Sequence, residues 1–235
     1  AYSIMGEKDD SRIEFVQFHQ NYSYEDFIMG YKPQDEGFKL TNGIFYQFCM
    51  NAAEHPDKDY FFIIDEINRG NMSKIFGELL MLIEKDYRGT TVTLAYSGTT
   101  FSVPKNLYII GMMNTADRSL AMIDYALRRR FSFYEMEPEF NSEGFKAYQA
   151  SLKNETFNAL IEQIIDLNRE INIDDSLGSG FRIGHSYFCG QEECTEEWMK
   201  AVVYYDIIPM LQEYWFDDRQ KVKRWENLLI GVFND

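Results

Sequence analysis

The sequence is poor in cysteine, which argues against a small domain stabilised by disulfides or by bound zinc. Only three of its 235 residues are cysteines, Cys49, Cys189 and Cys194, an odd number at irregular spacing. Such a pattern fits buried or idle thiols in a reducing cytoplasm better than a disulfide framework. Cys189 and Cys194 are close in sequence, but no second pair or histidine cluster accompanies them, as a zinc site would require. The sequence therefore predicts neither disulfides nor bound zinc.

Long apolar runs are missing as well. No stretch approaches the ~18 consecutive apolar residues that a membrane-spanning helix needs, so no contact with a membrane is predicted. The chain begins AYSIMGEKDD, which has neither the basic region nor the apolar core of a signal peptide. These two observations predict a cytoplasmic protein.

Basic residues are scarce relative to acidic ones. There are 23 lysines and arginines against 38 aspartates and glutamates, which gives a net charge of −15. A protein that binds nucleic acid over a broad surface needs clustered lysines and arginines to contact the phosphates. The composition therefore argues against a broad nucleic-acid-binding surface on this chain.

A phosphate-binding loop of the form G-x-x-x-x-G-K-[ST] is also missing. Such a loop supplies the larger part of nucleotide affinity in the proteins that use it. The first residues lack an initiator methionine and are typical of the end of a helix. We therefore expect this chain to be a fragment that begins inside a longer polypeptide.

The most informative stretch present is an apolar run that ends in two acids. Residues 60–64, YFFII, suit a strand buried on both faces of a parallel sheet, and Asp65 and Glu66 follow directly. A buried strand that ends in acids has the form of a Walker B element. There one carboxylate supports Mg²⁺ through its water shell and the next polarises the attacking water. The alternative is an ordinary core strand that ends in a solvated acidic turn.

A second apolar run, residues 107–113, ends at Asn114. The carboxyl ends of parallel strands meet at one edge of a sheet, so Asn114 is expected to lie beside the two acids. A neutral amide there can hold a water or a γ-phosphate oxygen. The alternatives are that Asn114 fills a turn and that Asp117 or Ser119 caps the helix predicted over residues 119–130.

Two further groups of cations are candidates for chemistry. Three arginines, residues 128–130, end that predicted helix, where they either complement the helix dipole or reach a neighbouring subunit as an arginine finger. Arg182 and His185 lie in a glycine-bearing turn, residues 178–188. They could sense a nucleotide, whereas the competing interpretation is a hydrogen-bonded structural turn.

The order of predicted elements indicates an α/β core followed by a helical appendage. Strands at residues 13–18, 60–64, 107–113 and 131–136 alternate with helices at residues 44–53, 71–84 and 119–130. A hairpin is predicted over residues 91–103, and either a loop or a hairpin over residues 31–43. Helices alone follow, at residues 154–171, 195–214 (kinked near Pro209) and 218–230. The predicted domains are residues 1–137 and residues 138–235.

Several of these stretches together resemble the AAA+ motor subunit of 5-methylcytosine-specific restriction systems, the McrB family. They are FFIIDEINRGNMSKIFGELL, YIIGMMNTADRSLAMIDYALRRRFSF and GFRIGHSYF, and residues 15–31 match as well. The resemblance covers nearly the whole chain, and DEINR and MNTADR in register are its most specific part. It implies an AAA+ P-loop NTPase core with a parallel sheet, here amino-terminally truncated and without its P-loop, followed by an all-α lid.

The resemblance also implies roles for individual residues. Asp65 would be the Mg²⁺-supporting acid, Glu66 the catalytic acid, and Asn114 the sensor-1 residue. Asp117 and Arg118 would complete the family's signature at the nucleotide. The trans-acting arginines would be Arg129 and Arg130, with a weaker claim for Arg128, and the lid sensor would be His185 or Arg182.

The activity implied by the resemblance is hydrolysis of GTP, or of ATP, with Mg²⁺. The motor would form a homo-oligomeric ring, a hexamer, and drive an McrC-like nuclease subunit along methylated DNA. DNA would be contacted through other domains or through that partner. Without the phosphate loop and a DNA-reading domain, the fragment alone is expected to be inactive and to recognise no particular DNA.

Two other hypotheses compete with this one. A MoxR-type AAA+ remodelling ATPase would have the same fold and no nuclease partner. A non-catalytic AAA+ scaffold would only dock a partner, and the missing phosphate loop favours it. Retention of both Asp65 and Glu66 disfavours the scaffold, because a degenerate site has no need of both acids.

Overall fold

The computed structural model describes residues 1–35, 37–114 and 128–234. The chain divides into two compact units, Ala1–Phe133 and Tyr134–Asp235, each with a hydrophobic core of its own. In the ranges described, no helix has the length and apolar character needed to cross a membrane.

The first unit contains a parallel sheet and two antiparallel hairpins. Its strands are β1 (Ile13–Gln17), β2 (Met29–Gln34), β3 (Gly37–Asn42), β4 (Tyr60–Asp65), β5 (Thr91–Thr93), β6 (Thr100–Ser102) and β7 (Leu107–Gly111). Strands β1, β4 and β7 form the parallel sheet in the order β1-β4-β7, and the pairs β2–β3 and β5–β6 form the hairpins. The α/β fold with a parallel sheet and the hairpin over residues 91–103 are confirmed, and of the two alternatives for residues 31–43 the structure has the hairpin.

The helices of this unit are α1 (Tyr2–Met5), α2 (Tyr24–Phe27), α3 (Ile44–Glu54) and α4 (Met72–Phe76).

An aromatic cluster holds β4 in place from one side. The ring of Phe62, in β4, lies 5.0 Å from that of Phe45 and 5.6 Å from those of Phe27 and Phe48. Phe62 is fully buried. Because a buried Phe contributes roughly 1.5–3 kcal/mol, this cluster is a main source of the unit's stability.

The other face of the sheet is less buried than the sequence predicts. Phe15 in β1 and Tyr108 in β7 are both about half exposed, whereas a parallel sheet is usually covered on both faces. Alternation along a strand places these residues on the face opposite Phe62. In addition, β7 ends at Gly111, two residues before the predicted end.

The helix predicted over residues 71–84 is wrong in its extent. Helix α4 ends at Phe76, and a 3₁₀ turn, Gly77–Leu80, follows it. Gly77 has φ 51° and ψ −129°, a conformation that a residue with a side chain rarely adopts, so the α-helix cannot continue through it. Asn71 caps the start of α4, since its Oδ1 accepts a hydrogen bond from Lys74 N at 3.0 Å.

The strand predicted over residues 131–136 is also wrong. These residues are described, and they are irregular and pair with no strand of the described chain. Tyr134 and Met136 are among the most exposed apolar residues of the protein. The apolar pattern suggested a buried strand, but the segment connects the two units instead.

The second unit is all-α, as predicted. Its helices are α5 (Glu143–Leu152), α6 (Glu155–Ile173), α7 (Glu196–Ala201), α8 (Ile208–Tyr214) and α9 (Arg219–Gly231). A π-helical segment, Val202–Ile207, joins α7 to α8. The kink predicted near Pro209 is thus a change of helix type just before a residue that has no N–H to donate. Sequence analysis missed α5, which Ser142 caps.

Asp174 joins three parts of this helical unit. Its Oδ2 accepts hydrogen bonds from Lys221 Nζ at 2.6 Å and from Trp215 Nε1 at 2.9 Å, and its Oδ1 accepts one from Ser176 N at 2.9 Å. The Lys221 ammonium, and then the Ser176 hydroxyl, hold the pKa of this carboxyl well below its ordinary value. A lowered pKa means that the contribution to stability is present above about pH 4 and is lost as the pH falls further.

Replacing Asp174 by asparagine is therefore expected to destabilise the helical unit at neutral pH by about 1–3 kcal/mol, because the part-buried cation and indole lose a charged acceptor. Thermal unfolding measured between pH 7 and pH 3 checks this. The difference between variant and wild type should shrink as the pH falls below about 4. The exposed neighbour Asp175 supplies the control, since Asp175→Asn should have little effect. A deficit in Asp174→Asn that stays the same at every pH would rule out this account of the pKa.

Candidate functional site

The carboxylate of Asp65 lies at the carboxyl edge of the parallel sheet, where β4 ends. Its backbone oxygen accepts a hydrogen bond from Phe18 N at 2.9 Å, just past the end of β1. Its side chain is held as well, because Oδ1 accepts from Glu66 N at 3.0 Å and Oδ2 accepts from Gln17 Nε2 at 3.3 Å. Each carboxylate oxygen keeps a lone pair for another donor or a metal-bound water.

Glu66 adopts a backbone conformation that is uncommon for a residue with a side chain. Its φ of 50° and ψ of 43° lie in the left-handed region, where non-glycine residues are strained. Backbone hydrogen bonds on both sides hold this turn: Met112 N donates to Ile64 O at 2.8 Å, and Ile67 N donates to Met112 O at 2.9 Å. The chain therefore turns at Glu66, between Ile64 and Ile67, which are both hydrogen-bonded to Met112.

The carboxylate of Glu66 is largely enclosed. Its side chain is 19% exposed, and its Oε2 lies 3.0 Å from Arg69 Nε in an ion pair without hydrogen-bond geometry. Asn68, between these two residues, has a buried Oδ1 without a hydrogen-bond partner. Oxygen atoms that burial leaves without donors are the groups that a bound water or cation could satisfy.

Asn114 follows the same edge of the sheet. It lies two residues beyond Met112, whose N–H and C=O bridge the turn that carries Asp65 and Glu66. Its side chain is exposed and has an interaction within the structure. Gly111 makes the close approach possible, because a Cβ there would lie 2.6 Å from Ile67 Cδ1. Asp117 and Arg118 lie outside the described residues.

The three arginines differ in their surroundings. Arg128 and Arg129 are exposed, and the Arg128 guanidinium lies 6.0 Å from the centre of the Phe133 ring. Arg130 is only 15% exposed, and its Nη2 lies 2.8 Å from Glu84 Oε1. Of the three, Arg130 is therefore the most enclosed by its own chain.

In the helical unit, Arg182 and His185 both make contacts within that unit. The Arg182 Nη2 lies 3.7 Å from Glu135 Oε1 and 3.6 Å from Glu137 Oε1, and its Nε donates to Ser179 O at 2.9 Å. The Nδ1 of His185 accepts a hydrogen bond from Glu139 N at 3.0 Å, which places the proton of a neutral imidazole on Nε2. These contacts match the structural interpretation of the turn, and the sensor role stays a prediction.

Comparison with known families identifies the fold of the first unit. A family model described as an AAA domain of the dynein-related subfamily matches residues 4–131, more than half of the chain. The chain belongs to the AAA family. A second model, described as the McrB alpha-helical lid domain, matches residues 159–223. The AAA domain and the helical lid predicted from the sequence are thereby confirmed.

Two curated relatives narrow the identification. The EcoKMcrB subunit of a type IV methyl-directed restriction enzyme from Escherichia coli K12 is 52% identical over 243 residues, covering 98% of this chain. The YdiS component of the type II restriction enzyme BsuMI from Bacillus subtilis 168 is 27% identical over 186 residues, covering 62% of this chain. The chain spans about half of each relative, 53% and 54% of their lengths. This is an McrB-like AAA+ protein.

A solved structure adds no argument to this identification. A crystal structure of a protein from Cytophaga hutchinsonii aligns with 93% of this McrB-like chain and 69% of its own, with 12% sequence identity and a TM-score of 0.35. A similarity at that level supports neither a fold nor a function.

Two asparagines in this McrB-like protein were missed by the sequence analysis. Asn68 was overlooked although it belongs to the same DEINRG stretch as the acids, and its buried oxygen is the signal that singles it out. Asn168, in α6, is buried, and its side-chain amide makes two hydrogen bonds to the backbone of Ile183, at 2.8 and 2.6 Å. Asn168 thereby fixes the lid turn that carries Arg182 and His185. In the sequence, a polar residue within an amphipathic helix does not stand out as one whose side chain is buried.

Proposed function

We propose that this chain is the motor part of a methylation-dependent restriction enzyme, and that it hydrolyses GTP, or ATP, with Mg²⁺. In the complete protein the subunits would form a hexameric ring that drives an McrC-like nuclease subunit on DNA. The 52% identity to a subunit named as methyl-directed supports the restriction system. The AAA domain match supports nucleotide hydrolysis.

The observation that carries the chemistry is the position of Asp65 and Glu66. Both acids lie at the carboxyl edge of the sheet, one at the end of β4 and the other in a strained turn directly after it. Strained backbone at such a position is maintained by surrounding hydrogen bonds and concentrates at functional sites. An acidic turn that was only solvated would not require a strained backbone.

The residues at this edge fit Mg²⁺, since carboxylate and amide oxygens are the hard ligands that it prefers. Asp65 would hold the ion through its water shell, and the ion would supply neutralisation of phosphate charge. Glu66 would orient the attacking water and accept its proton, a contribution of about 10²–10⁴ in rate. Asn114 would hold that water or a γ-phosphate oxygen without adding charge.

The remaining assignments complete the proposed site. Asp117 and Arg118 would contribute to nucleotide binding, and His185 or Arg182 would sense the nucleotide from the lid. Arg129 and Arg130 would reach from one subunit to the phosphate of the nucleotide that is bound by the neighbouring subunit. A trans-acting arginine typically contributes about 10³–10⁵ in rate.

The two alternative functions are not favoured. Both curated relatives are named as parts of restriction enzymes, and the lid matches the McrB model. A MoxR-type remodelling ATPase or a non-catalytic scaffold leaves these matches unexplained.

The full-length protein that contains this chain is expected to hydrolyse GTP in a Mg²⁺-dependent manner, with ATP as the second substrate to compare. Removing Mg²⁺ with a chelator should lower turnover at least about 100-fold. Sedimentation velocity with bound nucleotide should report a ring of six subunits. Full turnover by a protein that stays monomeric would contradict the roles proposed for the arginines, and absence of turnover with both nucleotides would contradict the function.

A further inference from the structure

A side chain of the neighbouring strand contacts the acid that is proposed to support Mg²⁺. Gln17 Nε2 donates a hydrogen bond to Asp65 Oδ2 at 3.3 Å. The two residues lie opposite each other in the parallel pair β1–β4, and alternation along the strands places both side chains on the same face of the sheet. The contact therefore joins the last residue of β1 to the last residue of β4.

The backbone on both sides of Gln17 is fixed to the sheet. Directly after it, Phe18 N donates to Asp65 O at 2.9 Å, and directly before it, Val16 lies opposite Ile64. The side chains of Val16, Phe18 and Ile64 are all buried. The amide of Gln17 therefore extends from a backbone position that the sheet determines.

Two donors determine how the Asp65 carboxylate is turned. Rotation of a carboxylate about its last side-chain bond is a soft torsion, so a single hydrogen bond leaves its orientation poorly defined. Here Oδ1 accepts from Glu66 N at 3.0 Å, while Oδ2 accepts from Gln17 Nε2. With one hydrogen bond on each oxygen the plane of the carboxylate is fixed, and each oxygen keeps a lone pair for a metal-bound water.

Glutamine has the chemistry that this position requires. A carboxylate only accepts hydrogen bonds, so the Gln17 amide must present its nitrogen to Asp65. A lysine or an arginine at this position would also donate, but its positive charge would pair with the acid and repel a divalent cation. The neutral amide orients Asp65 and leaves the negative charge of the carboxylate available to the metal.

We propose that Gln17 is a positioning residue, which orients the Asp65 carboxylate for the water shell of Mg²⁺ without touching the nucleotide. This inference rests on the proposed nucleotide hydrolysis and adds a residue of the neighbouring strand to that site. Groups that orient metal-binding side chains typically contribute about 10–100-fold to metal affinity. Because Asp65 would hold the ion through water, we expect the lower end of that range, about 10-fold.

The first test is Gln17→Met in the full-length protein, since methionine is similar in length to glutamine and has no N–H to donate. The Mg²⁺ concentration for half-maximal turnover is expected to rise about 10-fold, whereas kcat at saturating Mg²⁺ should stay within about twofold of wild type. Gln17 is exposed, so the change opens no cavity and the melting temperature should stay the same.

Gln34→Met is the matched control for this test, because Gln34 is an exposed glutamine on the β2–β3 hairpin. It should have the Mg²⁺ requirement of wild type. An unchanged Mg²⁺ requirement in Gln17→Met would overturn the proposal. A loss of kcat that saturating Mg²⁺ does not restore would overturn it too, because it would place Gln17 in contact with the reacting groups.

The second test measures metal binding without turnover. Mn²⁺, which like Mg²⁺ binds oxygen ligands, is titrated into the full-length protein with a non-hydrolysable GTP analogue, and free Mn²⁺ is measured by electron paramagnetic resonance. Gln17→Met should weaken Mn²⁺ binding about 10-fold and leave binding of the analogue in the presence of a chelator within about twofold of wild type. In an Asp65→Ala background, Gln17→Met should change Mn²⁺ binding less than about twofold, because its effect passes through Asp65. An equal loss in both backgrounds would overturn the positioning role.

These outcomes separate the inference from the function on which it rests. A wild-type protein that hydrolyses neither nucleotide contradicts the function. A wild-type protein that hydrolyses nucleotide normally, together with a Gln17→Met variant that has the same Mg²⁺ requirement and the same Mn²⁺ affinity, contradicts only the positioning role.

Discussion

Replacing Glu66 by glutamine is expected to lower nucleotide turnover by the full-length protein at least about 100-fold, while nucleotide binding stays within about threefold of wild type. The amide keeps the size and hydrogen-bonding reach of the carboxylate but cannot accept the proton of the attacking water. The strained turn is held by the backbone bonds of Ile64, Ile67 and Met112, so it should persist in the variant. The change therefore removes chemistry and leaves structure in place.

Phosphate release under saturating nucleotide measures the first quantity, and equilibrium binding of a fluorescent nucleotide measures the second. Glu54→Gln is the matched control, because Glu54 is an exposed glutamate at the end of α3. It should behave as wild type in both assays. A Glu66→Gln protein that turns over at the rate of this control would remove Glu66 from the mechanism.

The largest expected effect on stability comes from Phe62→Ala, about 3–5 kcal/mol. Phe62 is fully buried in β4 and contacts the rings of Phe27, Phe45 and Phe48. Truncation leaves a cavity that the neighbouring rings, Phe27 on α2 and Phe45 and Phe48 on α3, can fill only in part. Because Phe62 precedes Asp65 by three residues in the same strand, the loss should also reduce nucleotide binding.

Denaturant unfolding measures the free energy of unfolding of Phe62→Ala and of the control Phe38→Ala, which is the same type of substitution. Phe38 lies on the β2–β3 hairpin and is highly exposed, so its variant should be within about 0.5 kcal/mol of wild type. If Phe62→Ala proves too unstable to purify, Phe62→Leu should retain the fold with a smaller loss. A loss at Phe62 no larger than that at Phe38 would show that the cluster does not anchor β4.

The central part of the fold follows from the sequence because its signals are local. The apolar run before Asp65 can be buried only as a strand or a short helix, and its aromatic and β-branched residues favour the strand. Helix α3 and the hairpin over residues 91–103 carry equally plain signals, in the periodicity of the helix and in Gly98 at the turn, which has φ 67°. These elements depend little on what lies across the core.

The errors in the predicted secondary structure arise where residues far apart in the sequence determine the local conformation. Gly77 is compatible with a helix in sequence terms, and only the packed unit reveals its positive φ. The apolar residues over 131–136 have the composition of a strand, but they connect two units and find no neighbouring strand among the described residues. Helix α5 was missed because only one of its residues, Phe145, is fully buried, which leaves a weak apolar pattern.

The candidate site shows the same division. The sequence is enough to predict Asp65, Glu66 and Asn114 as candidates, because polar residues directly after buried strands are conspicuous. It cannot identify the Glu84–Arg130 pair or the link from Asn168 to Ile183, since each joins residues far apart in the chain. The predictions for Asp117 and Arg118 lie outside the described residues.

The most direct test of the central claim is a structure of the full-length protein with Mg²⁺ and a non-hydrolysable GTP analogue. The metal is expected to lie within one water molecule of the Asp65 carboxylate, with the γ-phosphate on the side of Glu66 and Asn114. A nucleotide bound with its γ-phosphate and metal away from the carboxyl edge of β4 would contradict the account.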